Sequence, residues 1–214
     1  MKPLKIHTPF GAAKAHLQSA DEPRAALVLG HGAGGGVTAP DLVAAARGAH
    51  SVGVSVALVE QPYRVAGRRS PAPAHQLDAA WTAVIDHLLG GELRGLPLLA
   101  GGRSSGARVA CRTATSTGAV GVLCLAFPLQ TPPRSGAAPT PSRLPELDAV
   151  TVPMLVVQGT RDRFGIPPST QRRTVVHVAA DHSLRTDLDA VEQAVGDWLL
   201  GMGKSADLQH GGAT

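Results

Sequence analysis

A serine between two glycines is the first group in this sequence that could carry chemistry. Ser104 lies at the centre of Gly102–Gly106 (GRSSG), which matches the G-x-S-x-G pattern of a nucleophile elbow. In an elbow the serine occupies a sharp strand-to-helix turn, and the flanking glycines allow strand and helix to approach closely. The pattern predicts Ser104 as a nucleophile and the Ser105 N–H as a donor to an oxyanion. Ser105 is the alternative nucleophile, but it lacks the spacing from both glycines.

An acid and a histidine follow this serine, in the chain order of a Ser-Asp-His triad. Asp162 comes after a predicted strand that ends at Val157, and His182 comes after the next strand, which ends at Val178. His182 would take the proton from Ser104, and Asp162 would hold the imidazole in the required tautomer. Order and placement therefore predict that these three residues form a catalytic triad.

Other interpretations of the acid and the base stay open. Asp162 lies between two arginines, as an ion-paired surface carboxylate would, and His182 lies in a short Asp-His-Ser string that fits a helix-capping turn. The alternative acids are Asp181 and Asp148, and the alternative bases, inside a predicted strand and at a helix start, are His177 and His75.

A glycine-rich loop after the first buried strand fits a different function. Gly30, Gly32 and Gly35 match the G-x-G-x-x-G fingerprint of dinucleotide-binding proteins, and Glu60 ends the following strand, where a ribose-binding acid could lie. This pattern predicts an oxidoreductase. It leaves the serine, the acid and the histidine unexplained, and it comes after a hairpin rather than in the first strand–helix turn.

The same loop can instead supply a second oxyanion donor. Its N–H groups at Ala33, or next to it at Gly34, are the candidates, and we favour this interpretation because it explains all four loops together.

Some neighbours of the catalytic positions are candidate substrate-binding residues, and the arginines among them indicate a mild preference for substrates that carry a carboxylate. Their alternative role is solvated surface or pairing with Asp162. These neighbours are His31, Arg103, Arg161 and Arg163.

The elements that must position these residues alternate along the chain. Leu4–Thr8 and Ala13–Gln18 predict an antiparallel hairpin. Apolar runs predict strands at 25–29, 54–59, 97–100, 119–126, 152–157 and 174–178, and helical periodicity predicts helices that end near His50, over 75–89, up to Thr115 and over 184–200. Thr38 or Asp41 is the predicted cap of the first helix. The pattern predicts a mostly parallel α/β sheet with helices on both faces, which binds ligands beyond the carboxyl ends of its strands.

Composition limits the function classes. The 214 residues predict a single domain over 1–200 and a disordered tail over 201–214. The net charge is +4 but the arginines are scattered, so we expect no nucleic-acid partner. No apolar stretch reaches the roughly 18 residues of a membrane span, and the start lacks a signal-peptide core. Two cysteines outside any metal-ligand spacing favour a reducing, cytoplasmic setting. We expect a monomer or a homodimer.

Together these motifs resemble the alpha/beta-hydrolase superfamily over about residues 4–200, and more narrowly the small predicted hydrolases distantly similar to dienelactone hydrolases. The resemblance implies Ser104, Asp162 and His182 as the triad, and the N–H groups of Ser105 and Ala33 as the oxyanion hole. The matching strings are HGAGG at His31, GGRSSGARVA at Gly101, FPLQTPP at Phe127, SRLPEL at Ser142, QGTRDRFG at Gln158 and DHSL at Asp181.

The resemblance implies hydrolysis of small esters or thioesters through an acyl-enzyme, without a metal or organic cofactor. This sequence departs from larger hydrolases in two places. Only about ten residues separate Asp162 from the last strand, so the helix there must be very short, and the cap region 127–148 is also short. A shallow, open site with a minimal cap is therefore expected. Because some eukaryotic members resemble subunits of chromatin complexes, a catalytically idle interaction module is the alternative.

Overall fold

Strands and helices alternate after an N-terminal hairpin. The computed structural model describes residues 3–133 and 140–210, the last seven of them as backbone alone. Within these residues lie β1 (Leu4–Thr8), β2 (Gly11–Gln18), β3 (Ala25–Gly30), α1 (Pro40–His50), β4 (Val54–Glu60), α2 (Pro62–Val65), α3 (Ala74–Gly90), β5 (Leu98–Arg103), α4 (Ser105–Thr113), β6 (Gly121–Leu125), α5 (Leu144–Asp148), β7 (Met154–Gly159), β8 (Arg173–Val178) and α6 (Leu188–His210).

The strands form one eight-stranded sheet in the order β1-β2-β4-β3-β5-β6-β7-β8. β2 pairs antiparallel with β1 and β4, and every later pairing is parallel. Apart from Gln158 in β7, the central strands are apolar, because a parallel sheet is buried on both faces. The predicted fold class, a mostly parallel sheet with an antiparallel hairpin at its start, is confirmed.

Two helical layers cover the sheet. α1 and α6 pack against each other and against one face, where Leu42 and Val191 join the core. α3 and α4 cover the opposite face, where Trp81 and Val109 are buried. This arrangement leaves the carboxyl ends of β3, β5, β7 and β8 at one rim, and the candidate site is built there. Among the described residues, no helix is long and apolar enough to cross a membrane.

The first helix begins differently from the prediction. Its N-cap is Ala39, which makes no side-chain capping bond, so neither Thr38 nor Asp41 has the predicted role. Asp41 is instead fully buried, and its carboxylate lies 2.8 Å from the guanidinium of Arg103. Asp41, which the local pattern placed as a helix cap, instead forms an ion pair with a residue that is distant in the sequence.

Two further differences lie near the C-terminus. Residues 160–172, all of which the structure describes, contain no helix, where a very short one was expected. β8, the last strand in the sheet order, is an edge strand with half-buried valines at Val175 and Val176. The last helix continues to His210, beyond the expected end at Leu200, although Gly201 and Gly203 weaken helical propensity there. Residues 211–214 of the predicted tail lie outside the described part of the chain, and the division into a domain and a tail stays a prediction.

Candidate active site

The side chains of Ser104, His182 and Asp162 meet at the rim of the sheet. Ser104 Oγ lies 3.0 Å from His182 Nε2, and His182 Nδ1 lies 2.8 Å from Asp162 Oδ2. Because the carboxylate accepts, Nδ1 carries the proton and Nε2 presents its lone pair to the serine hydroxyl. The structure therefore brings the three predicted triad residues into a continuous hydrogen-bonded chain.

The backbone at Ser104 has the strained geometry of an elbow. Its φ of 51° and ψ of −105° place a non-glycine residue in a rarely populated region, a conformation that costs on the order of 1–3 kcal/mol. The flanking glycines permit it. A Cβ at Gly102 would lie 2.5 Å from the carbonyl oxygen of Gly30, and one at Gly106 would collide with the same oxygen. These contacts explain why the turn requires glycine on both sides of the nucleophile.

A second glycine brings the acid loop and the histidine loop together. A Cβ at Gly159 would lie 2.5 Å from the carbonyl oxygen of Ala180 and 2.6 Å from that of Asp181. The loop after Gly159 then closes around Asp162, whose Oδ1 accepts the N–H of Phe164 at 2.9 Å. The phenyl ring of Phe164 lies 4.3 Å from the imidazole of His182, centroid to centroid. The aspartate is buried and the histidine is partly exposed, as a base that must meet substrate requires.

Gln158 holds the buried carboxylate from the other side, and the sequence analysis missed it. Its Nε2 donates to Asp162 Oδ2 at 2.7 Å and to the carbonyl oxygens of Gly165 and Phe127 at 2.9 and 3.1 Å. Its Oε1 accepts the N–H of Phe127 at 2.9 Å. The side chain is fully buried. An amide in a strand that is otherwise apolar was the available signal, since a buried amide needs partners.

The glycine-rich loop passes directly beside the nucleophile. A Cβ at Gly32 would lie 3.6 Å from the Cβ of Ser104. His31 fixes the loop: its Nε2 accepts the N–H of Gln61 at 3.1 Å, so its Nδ1–H must donate to the carbonyl oxygen of Gly32 at 2.8 Å. In a trans peptide the N–H points opposite to the C=O, so this bond also fixes the direction of the Ala33 N–H.

Tyr63 fixes the next peptide of the same loop. Its hydroxyl donates to the carbonyl oxygen of Ala33 at 3.0 Å, which orients the N–H of Gly34. Burial raises the pKa of Tyr63 to about 12, so the phenol remains a donor at ordinary pH. Within the described residues, the N–H groups of Ala33, Gly34 and Ser105 make no hydrogen bond. All three candidate oxyanion donors are therefore free to bind a ligand.

His31 is buried behind this loop and does not extend into the open site. Desolvation by burial lowers its pKa, and the bond to Gly32 opposes that shift. A neutral imidazole is also what the Gln61 N–H requires, because only an unprotonated Nε2 can accept. These contacts make His31 a residue that holds the loop. Its side chain is almost fully buried, so the geometry leaves none of its atoms accessible for the predicted contact with substrate.

The three predicted substrate-binding arginines have different surroundings. Arg103 is largely buried between Asp41 and the backbone carbonyl of His182. Arg161 and Arg163 are exposed, and the guanidinium of Arg163 lies 5.2 Å from the centre of the Phe164 ring, in a cation–π arrangement. A role for the two exposed arginines in binding substrate stays a prediction.

The alternative acids and bases make other contacts. The Asp181 carboxylate accepts the N–H and the hydroxyl of Ser183, and these bonds lower its pKa. Asp148 pairs with Arg173 at 3.0 Å, and Glu60 pairs with His16 at 2.7 Å. Of the alternative bases, His177 is exposed on the edge strand and His75 contacts Phe10 edge-on. Of the candidate acids and bases, His182 is the one bonded to Ser104, and Asp162 is the one bonded to His182, among the residues that the structure describes.

Comparison with known proteins agrees with the fold. A family model described as an alpha/beta hydrolase domain matches residues 23–193. No curated protein sequence matches the chain.

Solved structures show the same fold at low sequence identity. An alpha/beta serine hydrolase homologue from Coxiella burnetii has a TM-score of 0.73 at 14% identity, with 92% of this chain and 97% of that chain covered. A serine hydrolase without a lid from Xanthomonas campestris has a TM-score of 0.72 at 18% identity, covering 94% of each chain. A dienelactone hydrolase from Anabaena variabilis has a TM-score of 0.71 at 16% identity, covering 94% and 96%. Identities this low establish the fold alone.

Proposed function

This chain belongs to the alpha/beta hydrolase family, and we propose that it is a serine hydrolase that cleaves small esters or thioesters through an acyl-enzyme on Ser104. The observation that carries the proposal is the hydrogen-bonded chain from the Ser104 hydroxyl through His182 to the buried Asp162. A surface serine or a capping histidine would not need a buried carboxylate behind it, and this carboxylate has a fixed orientation.

Acylation begins with proton transfer. His182 Nε2 takes the Ser104 proton as Oγ attacks the carbonyl carbon, and Asp162 stabilises the imidazolium through Nδ1–H. The negative charge on the carbonyl oxygen is taken up by the N–H groups of Ser105 and Ala33, with Gly34 beside them. These donors are held in place by the helix start and by the bonds of the glycine-rich loop, so they need little reorganisation during the reaction.

The leaving group departs with the proton from His182. The imidazolium donates from Nε2 to the alkoxide or thiolate as the tetrahedral intermediate collapses, which leaves the acyl group on Ser104. A water molecule then repeats the sequence: His182 removes its proton, the hydroxide attacks the acyl carbon, and the Ser104 oxygen leaves and recovers the proton. Every proton is exchanged with His182, so this scheme needs no metal or organic cofactor.

The surroundings of the site support a small substrate. Ser104 and His182 are partly exposed at the rim, and the described part of the short cap region contains a single helix of five residues, α5. Such a site offers little enclosed apolar surface for a long acyl chain. We therefore propose short-chain esters or thioesters as substrates.

Labelling with a fluorophosphonate probe tests the proposal. We expect the folded protein to be labelled, Ser104→Ala to lose the label, and Ser105→Ala, the matched control one residue away, to keep it. If the folded wild-type chain resists labelling, the interaction-module alternative is favoured. A rise in Tm on addition of NAD or NADP would instead favour the oxidoreductase alternative.

A further inference from the structure

The loop that carries His182 has a strained backbone. Leu184 and Asp187, two and five residues after the histidine, have φ values of 46° and 60°. Conformations of this kind persist only where surrounding contacts hold them. Most bonds of the loop are local: Asp187 accepts the N–H of Ala179, and Thr186 donates to the carbonyl oxygen of the same residue.

Arg103 supplies a bond to this loop from another part of the sheet. Its Nη2–H donates to the backbone carbonyl oxygen of His182 at 2.9 Å, between residues 79 positions apart in the chain. Among the described residues, no other side chain outside the loop bonds to the His182 backbone. Because Arg103 immediately precedes Ser104, this bond joins the backbone of the elbow to the backbone of the histidine loop.

The guanidinium is itself held on its other sides. Its Nε lies 2.8 Å from Asp41 Oδ2, an ion pair in which the arginine side chain is 17% exposed and the aspartate is fully buried. The pair is held by charge, since Oδ2 has no aligned hydrogen-bond donor among the described residues. Nη1 lies against the backbone of Gly32, 2.6 Å from where a Cβ would be. One side chain therefore contacts α1, the oxyanion loop and the histidine loop.

We propose that Arg103 is a positioning residue that fixes His182 relative to Ser104 and the oxyanion loop, and that Asp41 is the anion that holds it in place. This inference rests on the proposed function for its catalytic consequence. It replaces the sequence-based expectation that Arg103 binds a substrate carboxylate: the guanidinium is already shared between Asp41 and the His182 carbonyl, and it is mostly buried.

The test compares Arg103→Met with Arg112→Met. Arg112 is the matched control because it forms a two-bond ion pair with Asp78 at the far end of α4, away from the site. With p-nitrophenyl acetate we expect Arg103→Met to lower kcat by about 10- to 100-fold, as small misplacements of catalytic groups do, with KM nearly unchanged. Arg112→Met should lose thermal stability and keep its kcat.

Two readouts separate positioning from a general loss of folding. In Arg103→Met the fluorophosphonate should still label the whole population, at a slower rate, whereas partial unfolding would reduce the labelled fraction. Arg103→Lys, which keeps the charge beside Asp41, should recover part of the rate. The double variant Arg103→Met/Asp41→Asn removes the buried unpaired charge, and we expect it to fold better while staying slow.

The choice of ester separates positioning from substrate binding. We expect Arg103→Met to lose the same factor with neutral p-nitrophenyl acetate and with anionic mono-p-nitrophenyl succinate. A loss confined to the anionic ester, or wild-type labelling rates in Arg103→Met, would overturn the inference.

Hydrogen exchange measured by mass spectrometry tests the role of the Arg103–His182 bond without relying on activity. Protection of the amides over 181–187 should fall in Arg103→Met and stay at the wild-type level in Arg112→Met. Unchanged protection in Arg103→Met would refute the claim that this bond holds the histidine loop, even if the enzyme is active. If protection falls in Arg103→Met while no fluorophosphonate labels the folded wild-type chain, the proposed function fails and the role of the Arg103–His182 bond stands.

Discussion

Replacing Gln158 with methionine would remove the amide that holds the buried carboxylate while keeping a side chain of similar length. The variant Gln158→Met loses the bond to Asp162 and leaves two backbone groups, the Phe127 N–H and the Gly165 carbonyl, without another partner in the described structure. The stranded buried N–H of Phe127 and the lost buried bond to the Asp162 carboxylate cost about 1–3 kcal/mol each, so the expected loss of unfolding free energy is about 4 kcal/mol.

For a chain of this size, a loss of 1 kcal/mol lowers Tm by roughly 2–4 °C, so Gln158→Met should melt about 8–16 °C below wild type. The matched control is Gln61→Leu. Gln61 is also a buried glutamine, but its side chain makes one bond, to the Leu77 carbonyl, and its Oε1 has no protein partner among the described residues. That variant should lose no more than about 1 kcal/mol.

Catalysis should change along with stability. Without the amide, Asp162 keeps the Phe164 N–H and His182 but loses the donor that fixes Oδ2 in place, so its carboxylate can rotate away from the imidazole. We expect fluorophosphonate labelling of folded Gln158→Met, measured well below its Tm, to slow by at least about tenfold. A variant with wild-type Tm and labelling rate would show that the amide is dispensable and would refute this reasoning.

Two further predictions concern the elbow and the loop beside it. Gly106→Ala should lose about 1–3 kcal/mol of unfolding free energy in urea titrations, because its Cβ would collide with the Gly30 carbonyl, whereas Gly36→Ala, with nothing within 4 Å, should stay within about 0.5 kcal/mol; equal losses would contradict the steric argument. His31 has a lowered pKa in the folded state, so the unfolded chain binds the proton first as the pH falls below about 6.5. The stability that neutral His31 contributes is present above that pH and is lost below it, by up to about 1.4 kcal/mol per pH unit. His31→Asn should reduce this pH dependence of unfolding, and identical slopes for the two proteins would count against it.

The site could be predicted where it depends on the order of elements along the chain. Strand ends in a parallel sheet share one rim, so a serine after β5, an acid after β7 and a histidine after β8 had to lie near one another. The elbow glycines carried a local signal as well. Two short helices, α2 and α5, escaped prediction because four or five residues give no readable period.

Contacts between distant residues could not be predicted in the same way. Asp41 has the spacing of a helix-capping acid, and only the folded chain shows that Arg103 reaches it. His31 precedes a glycine run, which suggests exposure, yet the N–H of Gln61 makes it an acceptor inside the protein. In each case the partner is thirty or more residues away, so no local pattern distinguishes the two roles.

The edge strand β8 affects how this protein behaves in concentrated solution. Because β8 is the last strand in the sheet order, no further strand of the described sheet pairs with its outer edge, and half-buried valines lie in the middle of the strand. Such edges template pairing with strands from other molecules, and natural sheets often blunt them with lysine or proline. A lysine in place of the exposed Thr174 would discourage that pairing at the end of β8 farthest from His182, and so would leave the chemistry untouched.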